Sequence, residues 1–300
     1  MGRVYEALNK ADSAPVIAGP EALADVQDIS RGHRQSGAKG NEFDFVSYSL
    51  NAPSLPELER SKERQASQIH DRLRMTSPGR TVELEHSRLD PRITASFDSM
   101  PTVSGEFNKA AIALISASAT SPVKRVLVTS AEHGSGKTSA AINIALALSR
   151  GKKRVLLVDC DFQRPSVLRL LGLEARTGLA ELVKDDAQPG DAAIKLSPSG
   201  LTIIPMLGRV DNPAELLAGD GFSSLLSLLD PEYDFVVFDS APLLNSAEVR
   251  LLAPLMDRVI LVISPGKVTS AQMSTAISPL TREQVLGVVL NRCEHAAPVV

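Results

Sequence analysis

RVLVTSAEHGSGKTSAAINIALALSR, residues 125–150, runs from an apolar stretch through a glycine-rich turn into an Ala/Leu-rich stretch. The run Arg125–Ser130 reads as a buried strand and Lys137–Arg150 as a helix. Between them lies Ala131-Glu132-His133-Gly134-Ser135-Gly136-Lys137-Thr138. The phosphate-binding pattern G-x-x-x-x-G-K-[S/T] is met at its last three positions, and Ala131 stands at its first glycine. Gly134 and Gly136 let backbone N–H groups curl around phosphate oxygens. The helix that follows turns its positive end to the same anion. The spacing therefore predicts nucleotide binding by residues 134–139 (Gly134, Ser135, Gly136, Lys137, Thr138 and Ser139). Lys137 is expected on the β- and γ-phosphates, and the Thr138 hydroxyl on Mg²⁺.

Working outward, further apolar runs follow: Arg154–Cys160, Leu201–Pro205, Asp234–Asp239, Asp257–Ile263 and Val285–Asn291. They are continuous in Val, Ile and Leu, without polar alternation, as expected of strands covered on both faces. Helical stretches separate most of them, among them Glu106–Ala117 and an amphipathic Pro213–Leu229. Alternating strands and helices predict an α/β fold, a doubly wound and mostly parallel sheet. Two runs end in carboxylates. VLLVDCD closes with Asp159 and Asp161, and DFVVFD closes with Asp239. Ligands of open α/β sheets bind at that edge. A carboxylate there can support Mg²⁺ or accept a proton from an attacking hydroxyl. For Asp161 the competing reading is a cap on a helix starting near Pro165.

The first 100 residues hold 35 hydrophobic and 28 charged residues, and the last 200 hold 94 and 39. Residues 1–92 accordingly read as a flexible, largely disordered segment, and residues 93–300 as one nucleotide-binding domain. Within the segment, Leu55–Leu73 reads as a polar helix. Val4, Tyr5 and Leu8 place one apolar face on residues 2–10, either a short docking helix or a frayed terminus. No apolar run is long enough for a membrane span, and no signal-peptide stretch opens the chain. A net charge of −3 gives no case for nucleic acid. The two cysteines, Cys160 and Cys293, exclude a disulfide framework and read as buried thiols. The expected setting is cytoplasmic.

A P-loop, a DxD at the end of the next strand and a later strand-end Asp resemble the deviant-Walker ATPases. Partitioning members of that group carry an additional lysine early in the loop; the stretch here is Ala131-Glu132-His133. That points to the bacterial tyrosine kinases of capsular and exopolysaccharide synthesis, which VLLVDCDFQRPSV, NPAELL (212–217) and YDFVVFDSAPLL also resemble. The resemblance implies ATP and Mg²⁺ as cofactors. It implies Lys137, Asp159, Asp161 and Asp239 as catalytic residues, Thr138 and the same three carboxylates as the metal site, and Asn291 near the adenine. It further implies a protein-tyrosine autokinase regulating polysaccharide polymerisation and export. The expected partners are a separate inner-membrane chain-length protein, which would hold the chain at the membrane periphery, and further copies of the chain. Three departures stand out. Gln163 replaces an arginine of the family pattern. The helix beginning Glu106-Phe107-Asn108-Lys109 lacks the arginines of the ring-forming motif. The tyrosines are Tyr5, Tyr48 and Tyr233, with no C-terminal cluster. These leave an ATP-dependent switch without kinase activity, or a partitioning-type ATPase, as alternatives.

Overall fold

The computed structural model describes residues 16–18, 79–94, 101–184 and 186–292. The expected helices at 2–10 and 55–73, together with Tyr5, Tyr48 and Cys293, lie outside these. The strands are β1 (Val16–Ala18), β2 (Arg80–Glu83), β3 (Arg125–Ser130), β4 (Val155–Cys160), β5 (Ile194–Ser197), β6 (Thr202–Ile204), β7 (Phe235–Ser240), β8 (Arg258–Ile263) and β9 (Val285–Leu290). They form one sheet in the order β1-β9-β8-β3-β7-β4-β6-β5-β2. The six strands from β9 to β6 run parallel; β1 on β9 and β5 on β6 are antiparallel. This is the mostly parallel, doubly wound sheet that the apolar runs predict.

The helices are α1 (Pro101–Thr120), α2 (Lys137–Arg150), α3 (Val167–Leu171), α4 (Leu179–Val183), α5 (Pro189–Ala192), α6 (Pro213–Ala218), α7 (Asp220–Glu232), α8 (Glu248–Leu252) and α9 (Ser270–Ile277). They divide the core between the faces of the sheet. Leu127, Leu156, Val158, Val236 and Phe238 pack on one side with α6, α7 and α9. Val126, Val128, Leu157 and Val237 pack on the other with α1, α2 and α3. Both side-chain sets of each strand are therefore buried, which is why the strands read as unbroken apolar runs.

Upstream of residue 93, β2 pairs in parallel with β5, the Asp90 N–H donates to the Leu170 carbonyl (3.0 Å), and Ile93 is buried. Two expectations are corrected. First, the stretch 213–229 is two helices, because Gly219 between them adopts an extended conformation (φ −72°, ψ 157°). Second, α1 begins at Pro101 and ends at Thr120, beyond both expected ends.

Candidate active site

β3, β7 and β4 lie side by side and end together. The in-register partner of Asp159 on β4 is Asp239 on β7, while Val128 of β3 also pairs with Asp239. The turn after β3 therefore sits directly beside two strand-end carboxylates. Gly134 and Gly136 both have positive φ (75° and 87°), which an L side chain resists, and Gly136 immediately precedes α2 as its N-cap. At Gly136 a Cβ would also lie 1.9 Å from Nδ2 of Asn291. The loop is closed from within by the hydroxyls of Ser130 and Ser135, both donating to the Glu132 carbonyl (2.7 and 3.0 Å). Ala131 is buried in the core, so the first glycine position is filled without positive φ.

Lys137 is almost wholly buried, and its ammonium donates to Asp161 Oδ2 at 2.6 Å. Burial alone would lower its pKa. Asp239, Asp161 and Asp159 together hold it above its ordinary value, so the side chain is charged. Burial likewise works to raise Asp161, but the Lys137 charge and hydrogen bond leave it below the usual carboxylate value. Asp159 is fully buried. Its oxygens accept the N–H groups of Asp161, Ser166 and Val167, each at 3.1 Å. The start of α3 is thus held by Asp159, whereas Asp161 accepts from the Arg164 N–H at 2.9 Å. Burial and then the facing Asp239 push the Asp159 pKa up. Asp239 is raised in turn, first by burial.

Among the described residues Asp239 has no completed hydrogen bond on either oxygen, although the Thr138 hydroxyl and the Ser240 N–H lie near enough to favour its charged form. A buried carboxylate left in that condition costs free energy that a cation would recover. Thr138 is buried beside it, its hydroxyl 3.2 Å from that of Ser166. Asp239 and Thr138 thus fit a hard, oxygen-seeking cation such as Mg²⁺. Asp161 and Asp159 are already committed to Lys137 and to α3. Ser139 is buried too, its carbonyl accepting from Asn143 (2.9 Å). Asn291 donates to the Ser135 carbonyl at 2.8 Å, so it braces the loop itself. His133 is half-buried; burial first, then Arg164, hold its pKa below the ordinary value. Cys160 is buried, as expected, and Tyr233 is buried too.

Three further residues reach the site without a sequence signal that places them there. Lys267, in the turn after β8, places its ammonium 3.3 Å from the Gly134 carbonyl. Gln272 of α9 donates to Glu132 Oε1 at 3.2 Å. Glu248 of α8 accepts from Gln163 at 3.2 Å. Only the start of α9 was readable, as the capping pair Thr269 and Gln272.

A family model described as an AAA domain matches residues 123–281. The chain is also 32% identical over 171 residues to the tyrosine-protein kinase YwqD of Bacillus subtilis (strain 168), covering 56% of this chain and 72% of that one. The chain belongs to the bacterial tyrosine-kinase family of P-loop ATPases. It is 30% identical over 199 residues to the succinoglycan biosynthesis transport protein ExoP of Rhizobium meliloti (strain 1021), of which it spans 25%. The crystal structure of the VpsO kinase domain superimposes with a TM-score of 0.56 at 30% identity, covering 63% of this chain and 97% of that one. Membership in this family accords with the mostly parallel sheet and with the loop that ends in Lys137 and Thr138. Among the described residues no helix is long and apolar enough to cross a membrane.

Proposed function

We propose that the chain is an Mg-ATP-dependent protein-tyrosine kinase that regulates polymerisation and export of a capsular polysaccharide or exopolysaccharide. The carrying observation is the charged, buried Lys137 standing among Asp159, Asp161 and Asp239 at the mouth of the phosphate loop. In this reading the N–H groups of residues 134–138 bind the phosphate chain and Lys137 neutralises its β- and γ-phosphates. Thr138 and Asp239 hold Mg²⁺, which offsets phosphate charge, and Asp161 keeps Lys137 aimed. A tyrosine hydroxyl attacks the γ-phosphorus, the bond to the β,γ-bridging oxygen breaks, and ADP leaves. The hydroxyl proton passes to Asp159 in its charged form, and because burial and Asp239 hold that pKa up, the step should quicken as pH rises. ExoP, named as a transport protein and matched over only a quarter of its length, supports a membrane-embedded partner of the chain-length type, which would hold this chain at the cytoplasmic face.

A second reading, a nucleotide switch that docks without phosphorylating, is favoured by Gln163. It offers an amide to Glu248 where the family pattern supplies a cation. The full chain incubated with Mg-ATP separates the two by mass spectrometry. Phosphotyrosine that disappears in Lys137→Ala and falls at least about 100-fold in Asp159→Ala is expected for the kinase. ADP release without phosphotyrosine on the chain or its partner selects the switch and overturns the kinase.

A further inference from the structure

We propose that Lys267 is a second phosphate-binding lysine, which leaves the Gly134 carbonyl for the terminal phosphate of ATP and so distinguishes ATP from ADP. The inference rests on the nucleotide reading of the phosphate loop. Its basis is the placement of three side chains from the β8–β9 half of the sheet. Lys267 reaches the Gly134 carbonyl, Gln272 reaches Glu132, and Asn291 reaches the Ser135 carbonyl. Gln272 is itself fixed, its Oε1 accepting from both the N–H and the hydroxyl of Thr269 at 3.0 Å. The segment 264–272 is thereby clasped against the outer edge of the loop. Asn291 and Gln272 make ordinary neutral or charge-assisted contacts there. Lys267 does not: among the described residues its exposed ammonium makes one long contact, to a carbonyl that is itself exposed. Such a bond is weak and easily exchanged for a better acceptor.

Charge balance supplies the reason for an exchange. Lys137 is ion-paired with the charged Asp161 and stands beside the buried pair Asp159 and Asp239, so its positive charge is already offset before any nucleotide arrives. A triphosphate adds several further negative charges to the same space. His133 contributes no countercharge at neutral pH, because burial and Arg164 keep it neutral. Backbone N–H groups serve mainly the α- and β-phosphates. The terminal phosphate carries the most charge and has the fewest fixed donors. Lys267 is a compact cation on a flexible stem, already touching the exposed apex of the loop at Gly134. A Cβ at Gly134 would lie 2.9 Å from the Lys267 ammonium, so the two are immediate neighbours, and the flexible lysine stem can give way.

Binding of Mg-ATP and Mg-ADP to the full chain, measured by titration calorimetry in wild type, Lys267→Met and Lys267→Arg, tests this. ATP affinity is expected to fall about tenfold in Lys267→Met, equivalent to about 1.4 kcal/mol. ADP affinity should change less than about twofold, and Lys267→Arg should recover most of the ATP affinity. Raising the salt concentration should narrow the ATP difference between wild type and Lys267→Met. Equal losses for both nucleotides would make Lys267 a brace for the loop and overturn the assignment, as would unchanged binding. A wild-type chain that binds neither nucleotide overturns the nucleotide reading itself, and this inference with it.

Discussion

At the scale of single residues, the site is built at the expense of stability. Asp159 and Asp239 face each other from adjacent strands, both buried and both with raised pKa. A carboxyl whose folded pKa exceeds its unfolded value binds protons more tightly when folded. Its stabilising contribution is complete below the unfolded value, here 3.8, and is lost as pH rises through the raised folded value. The nucleotide-free chain should therefore lose stability from this pair between about pH 4 and the neutral range. Asp239→Asn removes one of the two like charges. It should raise stability at pH 8 by about 1 kcal/mol over wild type, with little difference at pH 4, while eliminating the Mg²⁺ dependence of ATP binding. Calorimetric melting across pH checks the first outcome, and titration with and without Mg²⁺ the second. A difference that does not grow with pH would mean that the pair is not in electrostatic contact. Lys137, Asp159 and Asp239 were legible because a strand-end carboxylate and a P-loop lysine lie at fixed offsets from apolar runs. The division of labour among them was not. Spacing alone left Asp161 open as a cap for the next helix, yet Asp159 holds α3 and Asp161 holds Lys137.

At the scale of elements, α2 does more than begin at the phosphate loop. Asn143 on it is fully buried. Its Oδ1 accepts the Thr94 N–H (2.9 Å), and its amide donates to the carbonyls of Arg92 (2.8 Å) and Ser139 (2.9 Å). One side chain thus joins the segment before α1 to the second turn of the phosphate helix. Asn143→Ala would take the acceptor from the buried Thr94 N–H and the donor from the Arg92 carbonyl, and is expected to cost about 1–3 kcal/mol in urea denaturation. Limited proteolysis should then cut within 79–94 sooner than in wild type; unchanged cleavage would show that β2 and the Asp90–Leu170 hydrogen bond suffice to hold the segment. The boundaries of β3 and α2 were readable because apolar periodicity and the glycine turn agree there. β5 was not, since IKLS buries only Ile194 and Leu196 and its four residues carry too short a pattern. The break at Gly219 was equally hidden, because leucines on α6 and α7 continue one apolar pattern across it.

At the scale of the whole molecule, the edge of the folded unit is the consequence with the clearest test. β2 lies at the end of the sheet, next to β5. A chain beginning at residue 79 is proposed to keep the sheet from β2 to β9 and to bind ATP like the full chain. A chain beginning at residue 95 would lose β2, the buried Ile93 and both chain-segment contacts of Asn143. It should melt at least about 5 °C lower, with the uncovered edge of β5 favouring aggregation. Thermal melting and light scattering of the two chains decide it. Equal behaviour would return the boundary to residue 93, where composition alone had placed it.

The sequence by itself determined the fold class, the phosphate loop and the three carboxylates. Each depends on local order along the chain: apolar runs with their turns, glycines at set spacing, an acid at a strand end. The tertiary structure alone decided which strand lies beside β3, and so brought Asp239 and Asp159 together from positions 80 residues apart. It also decided that Lys267, Gln272 and Asn291 reach the loop, and that Arg80–Glu83 pairs with β5 at the edge of the sheet. The physical reason is the same in each case. Strand order and edge pairing follow from how helices cover the two faces of the sheet, and a side chain's partner across that sheet leaves no periodic trace in its own neighbourhood.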